Sequence, residues 1–120
     1  MYHVLHCVMI AIYGQGTPTG LWAASSANYI TEAEVQQLHD ALLNQSKFDD
    51  MSAHGFKINN VKYMKINSEQ GKVIRGKQGE NATAAALSKR AIIIATGKAS
   101  PQEVSNAVEK MAADLASKGF

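Results

Sequence analysis

With one cysteine, two prolines and one tryptophan in 120 residues, the chain has few of the residues that mark small extracellular or collagen-like proteins. Cys7 has no partner for an internal disulfide, which excludes a disulfide-stapled scaffold and fits a reducing compartment. No run of about 18 apolar residues exists, so no transmembrane helix is expected. The apolar stretch at residues 7–13 has no Lys or Arg before it and no clean small-residue cleavage site after it, so it does not read as a secretory signal. Together these absences place the protein in the cytosol.

The constellations of an enzyme are missing too. His3, His6 and Cys7 are ligand types, but no second cluster completes a tetrahedral metal site. Gly14 and Gly16 lack the Lys-Ser/Thr pair and the following helix of a phosphate loop, and read as a hairpin turn. His39 and His54 have no Ser or Cys nucleophile pattern beside them, and Asp49-Asp50 sits in a polar stretch where solvated acids are ordinary. Asn81-Ala-Thr83 is a glycosylation sequon without consequence in the cytosol. No catalytic residue, cofactor or metal is expected.

What is present is a hydrophobic fraction of 46% and a chain long enough for one core, hence a single domain over residues 1–120. The net charge of +2 hides a strong polarity: residues 57–98 hold nine Lys/Arg against two acids, while residues 1–56 hold one Lys against five acids. Residues 8–13 form an apolar run of strand length ended by Gly14, and residues 21–24, with Trp22, read as its hairpin return. Thr31 and Glu34 form a capping box, so a helix is expected from Thr31 to about Asn44 with Val35, Leu38 and Leu42 on one face. Residues 45–53 are polar and read as a loop with room for a short turn around Lys47–Met51. Residues 82–87 and 91–96 read as strands. The run Ala91-Ile-Ile-Ile-Ala95 is continuous, so both of its faces should be covered. Ser100, Pro101 and Glu103 start a last helix, Val104, Ala107, Val108, Met111 and Leu115 give it one apolar stripe, and Gly119 ends it. Strands joined by short turns predict an α+β fold: a central antiparallel β-sheet flanked by helices on both faces.

The most informative stretch is residues 55–79, GFKINNVKYMKINSEQGKVIRGKQG. Asn59-Asn60 and Gln70-Gly71 mark turns, and residues 61–67 alternate, with Lys62, Met64 and Ile66 on one side and Val61, Tyr63 and Lys65 on the other. Val73, Arg75 and Lys77 share a face of the next strand. Lys57, Lys62, Lys65, Lys72, Arg75 and Lys77 oppose a single acid, Glu69, which describes a surface for an acidic partner.

The runs GFKINNVKYM and GKVIRGKQG resemble the central hairpin of the profilins, a family of small cytosolic proteins that bind monomeric actin. Leu21-Trp-Ala-Ala-Ser25, the capped helix from Thr31 and the closing NAVEKMAADLASKGF resemble the family as well, over about residues 10–120. The resemblance implies an actin-binding surface of Arg75, Lys77, Lys89, Arg90, Ser105, Asn106, Glu109 and Lys110. Arg75 stands out there, because a guanidinium can bind a carboxylate through two bonds. It also implies phosphoinositide binding at Arg75, Lys77 and Lys89, and a role at the cytoskeleton in regulating actin polymerisation. Profilins hold proline-rich proteins between their terminal helices; here Tyr2, Trp22, Leu115 and Phe120 remain for that groove. The family's opening helix is shortened or divergent, and Asp114 stands where the family has Tyr or His, so weak proline-peptide binding or none is expected. The alternative is that the basic sheet binds lipid headgroups or nucleic acid. Single-stranded nucleic acid needs aromatics among the cations, and only Phe56 and Tyr63 qualify, so no nucleic-acid partner is expected.

Overall fold

The computed structural model describes residues 8–14, 20–24, 30–58, 61–69, 71–98 and 100–119. The order of elements is β1 (Val8–Gly14), β2 (Gly20–Ala24), α1 (Glu32–Leu43), α2 (Gln45–His54), β3 (Phe56–Ile58), β4 (Val61–Lys65), β5 (Val73–Gln78), β6 (Asn81–Leu87), β7 (Ala91–Lys98) and α3 (Pro101–Ser117). The seven strands form one sheet in the order β2-β1-β7-β6-β5-β4-β3, antiparallel at every pairing. The expected architecture is therefore present. The turn residues 15–19, 59–60 and 70, and the His3, His6 and Cys7 group, lie outside the described residues.

The sheet buries both faces. Ile74, Ala85, Ile92 and Ile94 pack with Val35, Leu38, Leu42, Phe48 and Met51 of α1 and α2. Val73, Ala82, Ala84, Ala86, Ile93 and Ala95 pack with Val104, Val108 and Ala112 of α3. That sandwich explains why β7 is apolar without alternation: its residues 91–97 are all buried, pointing alternately to one core and the other. It also explains why an alanine-rich segment forms β6 against its helical propensity. Ala82, Ala84 and Ala86 let α3 lie close over the strand, and pairing to β5 and β7 supplies every ladder bond. On the opposite face a buried polar pair in the middle of the sheet satisfies itself. Thr83 Oγ1 donates to the Ala95 carbonyl at 2.9 Å and lies 2.8 Å from Thr96 Oγ1.

Three local expectations change. Residues 45–53 are not a loop but most of α2. Asn44 ends α1 and also starts α2, its side chain accepting from the Lys47 amide at 3.2 Å, and the helix buries Phe48 and Met51. A stripe of two apolar residues one turn apart was too narrow to stand out in a polar stretch. β4 stops at Lys65 rather than Asn67, because Ser68 takes over the ladder: its hydroxyl donates to the Ile66 carbonyl and accepts from the Arg75 amide, both at 2.8 Å. At the start of α3, Ser100 accepts from the Glu103 amide as a cap should, but the Glu103 carboxylate meets the Ser100 hydroxyl instead of its backbone.

Candidate functional site

Alternation along β5 sends Val73, Arg75 and Lys77 to the face that carries α3, with Val73 in the α3-side core. Register then places the rest. Met64 pairs with Lys77, and Lys57 pairs with Lys62, two residues before Met64 on β4. Lys57, Lys62, Met64 and Lys77 therefore share one face. α3 lies over β5, β6 and β7, so β3 and β4 extend beyond its main footprint. All four side chains are exposed, Met64 to 46%. Lys57 directly opposite Lys62 is unfavourable in the free protein. An acidic partner would relieve that repulsion.

Two glycines let this face form. At Gly55, with φ of 72°, an added Cβ would stand 2.5 Å from the Tyr63 carbonyl and within 3.4 Å of Lys62 Cε and Met64 Sδ, so only glycine turns α2 into β3 here. At Gly76 an added Cβ would meet the Phe56 ring at 2.5 Å. Phe56 in turn stacks on Tyr63 with centroids 6.2 Å apart.

Arg75 lies on the same face but is drawn under α3. Its Nε donates to Ser105 Oγ at 2.6 Å, Nη1 to the Asn67 carbonyl at 2.9 Å, and Nη2 to Glu109 Oε2 at 3.4 Å. Ser105 Oγ donates onward to Glu109 Oε2 at 2.6 Å. The Arg75 side chain is 16% exposed and Ser105 is fully buried. This bears on two of the expected contacts. Ser105 presents no surface and works inside the fold, and Arg75 is an internal tie between β5 and α3 before it is anything else.

The remaining candidates divide. Asn106 and Lys110 are exposed one turn apart on α3, and Glu109 is half-buried beside them. Lys89 and Arg90 are exposed in the β6–β7 turn. That turn is at the far end of the strands: Lys77 pairs with Ala82, whereas the turn follows Leu87, about 17 Å further along β6. The other ribbon cations are spoken for. Lys65 Nζ sits 3.9 Å over the Phe48 ring on the opposite face, and Lys72 pairs with Glu69 at 3.4 Å. Lys57, Lys62 and Met64 join the candidate surface through strand register. The parity of residues 61–67 put Lys62 with Met64 in the sequence, but nothing there said that their side was also that of Lys77.

Of the residues expected in a proline groove, Tyr2 and Phe120 lie outside the described residues. Trp22 is the residue skipped in the register between β1 and β2, the extra residue of a bulge. Leu115 packs against the α3-side core, and Asp114 pairs with Lys118 at 3.3 Å. On the α1–α2 face a cleft of about 460 Å³ is lined by Gln36, Gln37, Asp40, Lys47, Asp50 and His54. Its polar groups largely satisfy one another, as Gln36 donates to Asp40 at 2.8 Å, Lys47 lies 3.7 Å from Asp40 and His54 lies 3.7 Å from Asp50. Among the described residues no group of three or more His, Cys, Asp or Glu could hold a metal ion, and no helix is long and apolar enough to cross a membrane.

A family model described as Profilin matches residues 3–120. The fold is similar to that of Acanthamoeba castellanii profilin II, with a TM-score of 0.80 at 24% identity over 93% of this chain and 86% of that one. Acanthamoeba castellanii profilin IB is similar at 29% identity, with a TM-score of 0.79 and the same shares of 93% and 86%. Mouse profilin IIa, solved in complex with a double repeat from the FH1 domain of mDia1, gives a TM-score of 0.73 at 22% identity over 96% of this chain and 91% of that one. No curated protein sequence matches the chain.

Proposed function

The chain belongs to the profilin family, and from that premise we propose that it is a cytoplasmic, non-catalytic regulator of actin polymerisation that binds actin monomers. The binding surface is the open part of the α3-side sheet face: Lys57, Lys62, Met64 and Lys77, flanked by Asn106 and Lys110 on α3. The observation that carries this reading is the shared face set by the Lys57–Lys62 and Met64–Lys77 pairings, which surrounds an exposed methionine with cations that pair with no acid among the described residues. An apolar centre ringed by charge of one sign suits a folded acidic partner, with burial at the centre and charge complementarity at the rim. Lys89 and Arg90 form a second, separate contact at the far end of the strands.

The same cations suit phosphoinositide headgroups, each worth on the order of 1 kcal/mol near an anionic surface. Because the two ligands would use one row of lysines, they compete. The FH1-domain repeat bound in the mouse relative's structure is not carried over as a main partner. Asp114 brings charge to that end of α3 and pairs with Lys118.

The test is a double charge reversal, Lys62→Glu with Lys77→Glu, assayed by pyrene-actin assembly with far-ultraviolet circular dichroism as a control for folding. Both side chains are exposed, so the fold should hold. Monomer sequestration should fall about ten-fold, from two rim charges turned repulsive. Wild-type sequestration in the double variant sinks the assignment of this face.

A further inference from the structure

Arg75 and Glu109 are joined less tightly than their neighbours suggest. Nη2 reaches Glu109 Oε2 only at 3.4 Å, whereas a charge-assisted bond settles nearer about 2.8 Å. The shorter contacts, both 2.6 Å, run through the Ser105 hydroxyl, which accepts from Nε and donates to Glu109. The pair is mostly covered, yet 16% of the arginine and 26% of the glutamate side chain still reach solvent. The arginine is therefore held in place by Ser105 and the Asn67 carbonyl, while its charge is answered by a single carboxylate oxygen 3.4 Å away.

We infer that Glu109 is an internal competitor for Arg75. In the free protein it answers the guanidinium that an acidic partner would use, and binding exchanges Glu109 for a partner carboxylate. This rests on the actin-binding reading above and adds Arg75, on the same sheet face as Lys77, to that surface as a gated contact. The exchange is physically easy in one direction. A hydrogen bond stretched to 3.4 Å is weak, and a partner carboxylate that reaches Nη1 and Nη2 together gains the two-bond geometry that Glu109 lacks. Ser105 and Asn67 stay bonded throughout, so Arg75 does not have to be repositioned. The site thus contains its own brake: removing the competing charge should tighten binding, although Glu109 lies on a helix flank that sequence reasoning counts among the contacts.

The experiment compares dissociation constants for monomeric actin. Glu109→Gln, which can still accept from Ser105, should bind about three-fold tighter than wild type, the scale of one weak ion pair. Glu103→Gln removes the same charge from the same helix at its exposed first turn and should change affinity less. In an Arg75→Ala background Glu109→Gln should have no effect. Arg75→Lys, which keeps the charge and the stem but not the fork, serves as a second background should the alanine variant fold poorly. A gain that persists without the arginine, or that Glu103→Gln reproduces, means that only general charge is at work and overturns the inference. Wild-type protein that fails to bind actin overturns the functional reading and this inference together; wild type that binds, with Glu109→Gln unchanged, overturns this one alone.

Discussion

Gly76 has no side chain because the Phe56 ring already fills that space, and the consequence reaches the next residue pair. Phe56 can close against β5 there and stack on Tyr63, which keeps Tyr63 inward and 3% exposed while Lys62 and Met64 on either side of it point out. Burial desolvates the Tyr63 phenolate and pushes the phenol above its ordinary value of 10.0. The sign follows from proton linkage. The folded state keeps its proton to higher pH than the unfolded state, so stability is intact below the unfolded pKa and is lost as pH rises from about 10 through the folded value. Urea midpoints measured across that window should fall more steeply for wild type than for Tyr63→Phe, which keeps the ring stack and removes the titrating group. Identical slopes would show that Tyr63 is not the source. At this same scale Arg75 shows the limit of residue reading. A lone arginine among lysines looked like the surface's best carboxylate clamp, yet its partners are Ser105 and Glu109, some thirty residues away, and no local pattern announces them.

Among the elements, α1, β7 and α3 were legible because each repeats one signal many times: a capping box with a three-residue stripe, an unbroken apolar run, a Ser-Pro start with a long amphipathic face. α2 was not, since its evidence is two buried residues and a cap. That cap is Asn44, whose side chain starts α2 while its amide bonds back to Ala41 at the end of α1. Asn44→Ala should therefore cost about 1 kcal/mol, read as a lower thermal midpoint. A midpoint equal to wild type would mean that packing of Phe48 and Met51 alone holds α2. The stripe of α3 was also read slightly off centre: Ser105 and Ala112 are buried while Ala107, Met111 and Leu115 are half-buried. Helical spacing finds a face, but the neighbour decides its centre, and here β5 draws Ser105 inward through Arg75.

At the scale of the whole molecule the charge polarity of the chain becomes a directional surface. The acids concentrated in residues 1–56 include Asp40, Asp49 and Asp50 on α1 and α2, behind one face of the sheet, while Lys57, Lys62 and Lys77 stand on the other. Such an arrangement separates two kinds of partner by their response to salt. Binding to vesicles containing phosphoinositide should weaken steeply between about 50 and 200 mM salt, because nearly all of it is charge neutralisation. Actin binding, with Met64 at the centre of its contact, should weaken less over the same range. Equal slopes in the two assays would argue that the exposed methionine contributes nothing and that the face is purely electrostatic.

Periodicity, caps and composition alone were enough to determine the class of fold, most of the strands, the two long helices and the existence of a basic ribbon, because those signals are carried by neighbours along the chain. Which cations act together was decided only by tertiary structure. Strand register aligned Lys57 with Lys62 and Met64 with Lys77, the β6–β7 turn carried Lys89 and Arg90 to the opposite end, and α3 closed over Arg75. The physical reason is that a sheet face is assembled across strands from residues distant in sequence, and a shift of one residue in any pairing would send a different set to the surface.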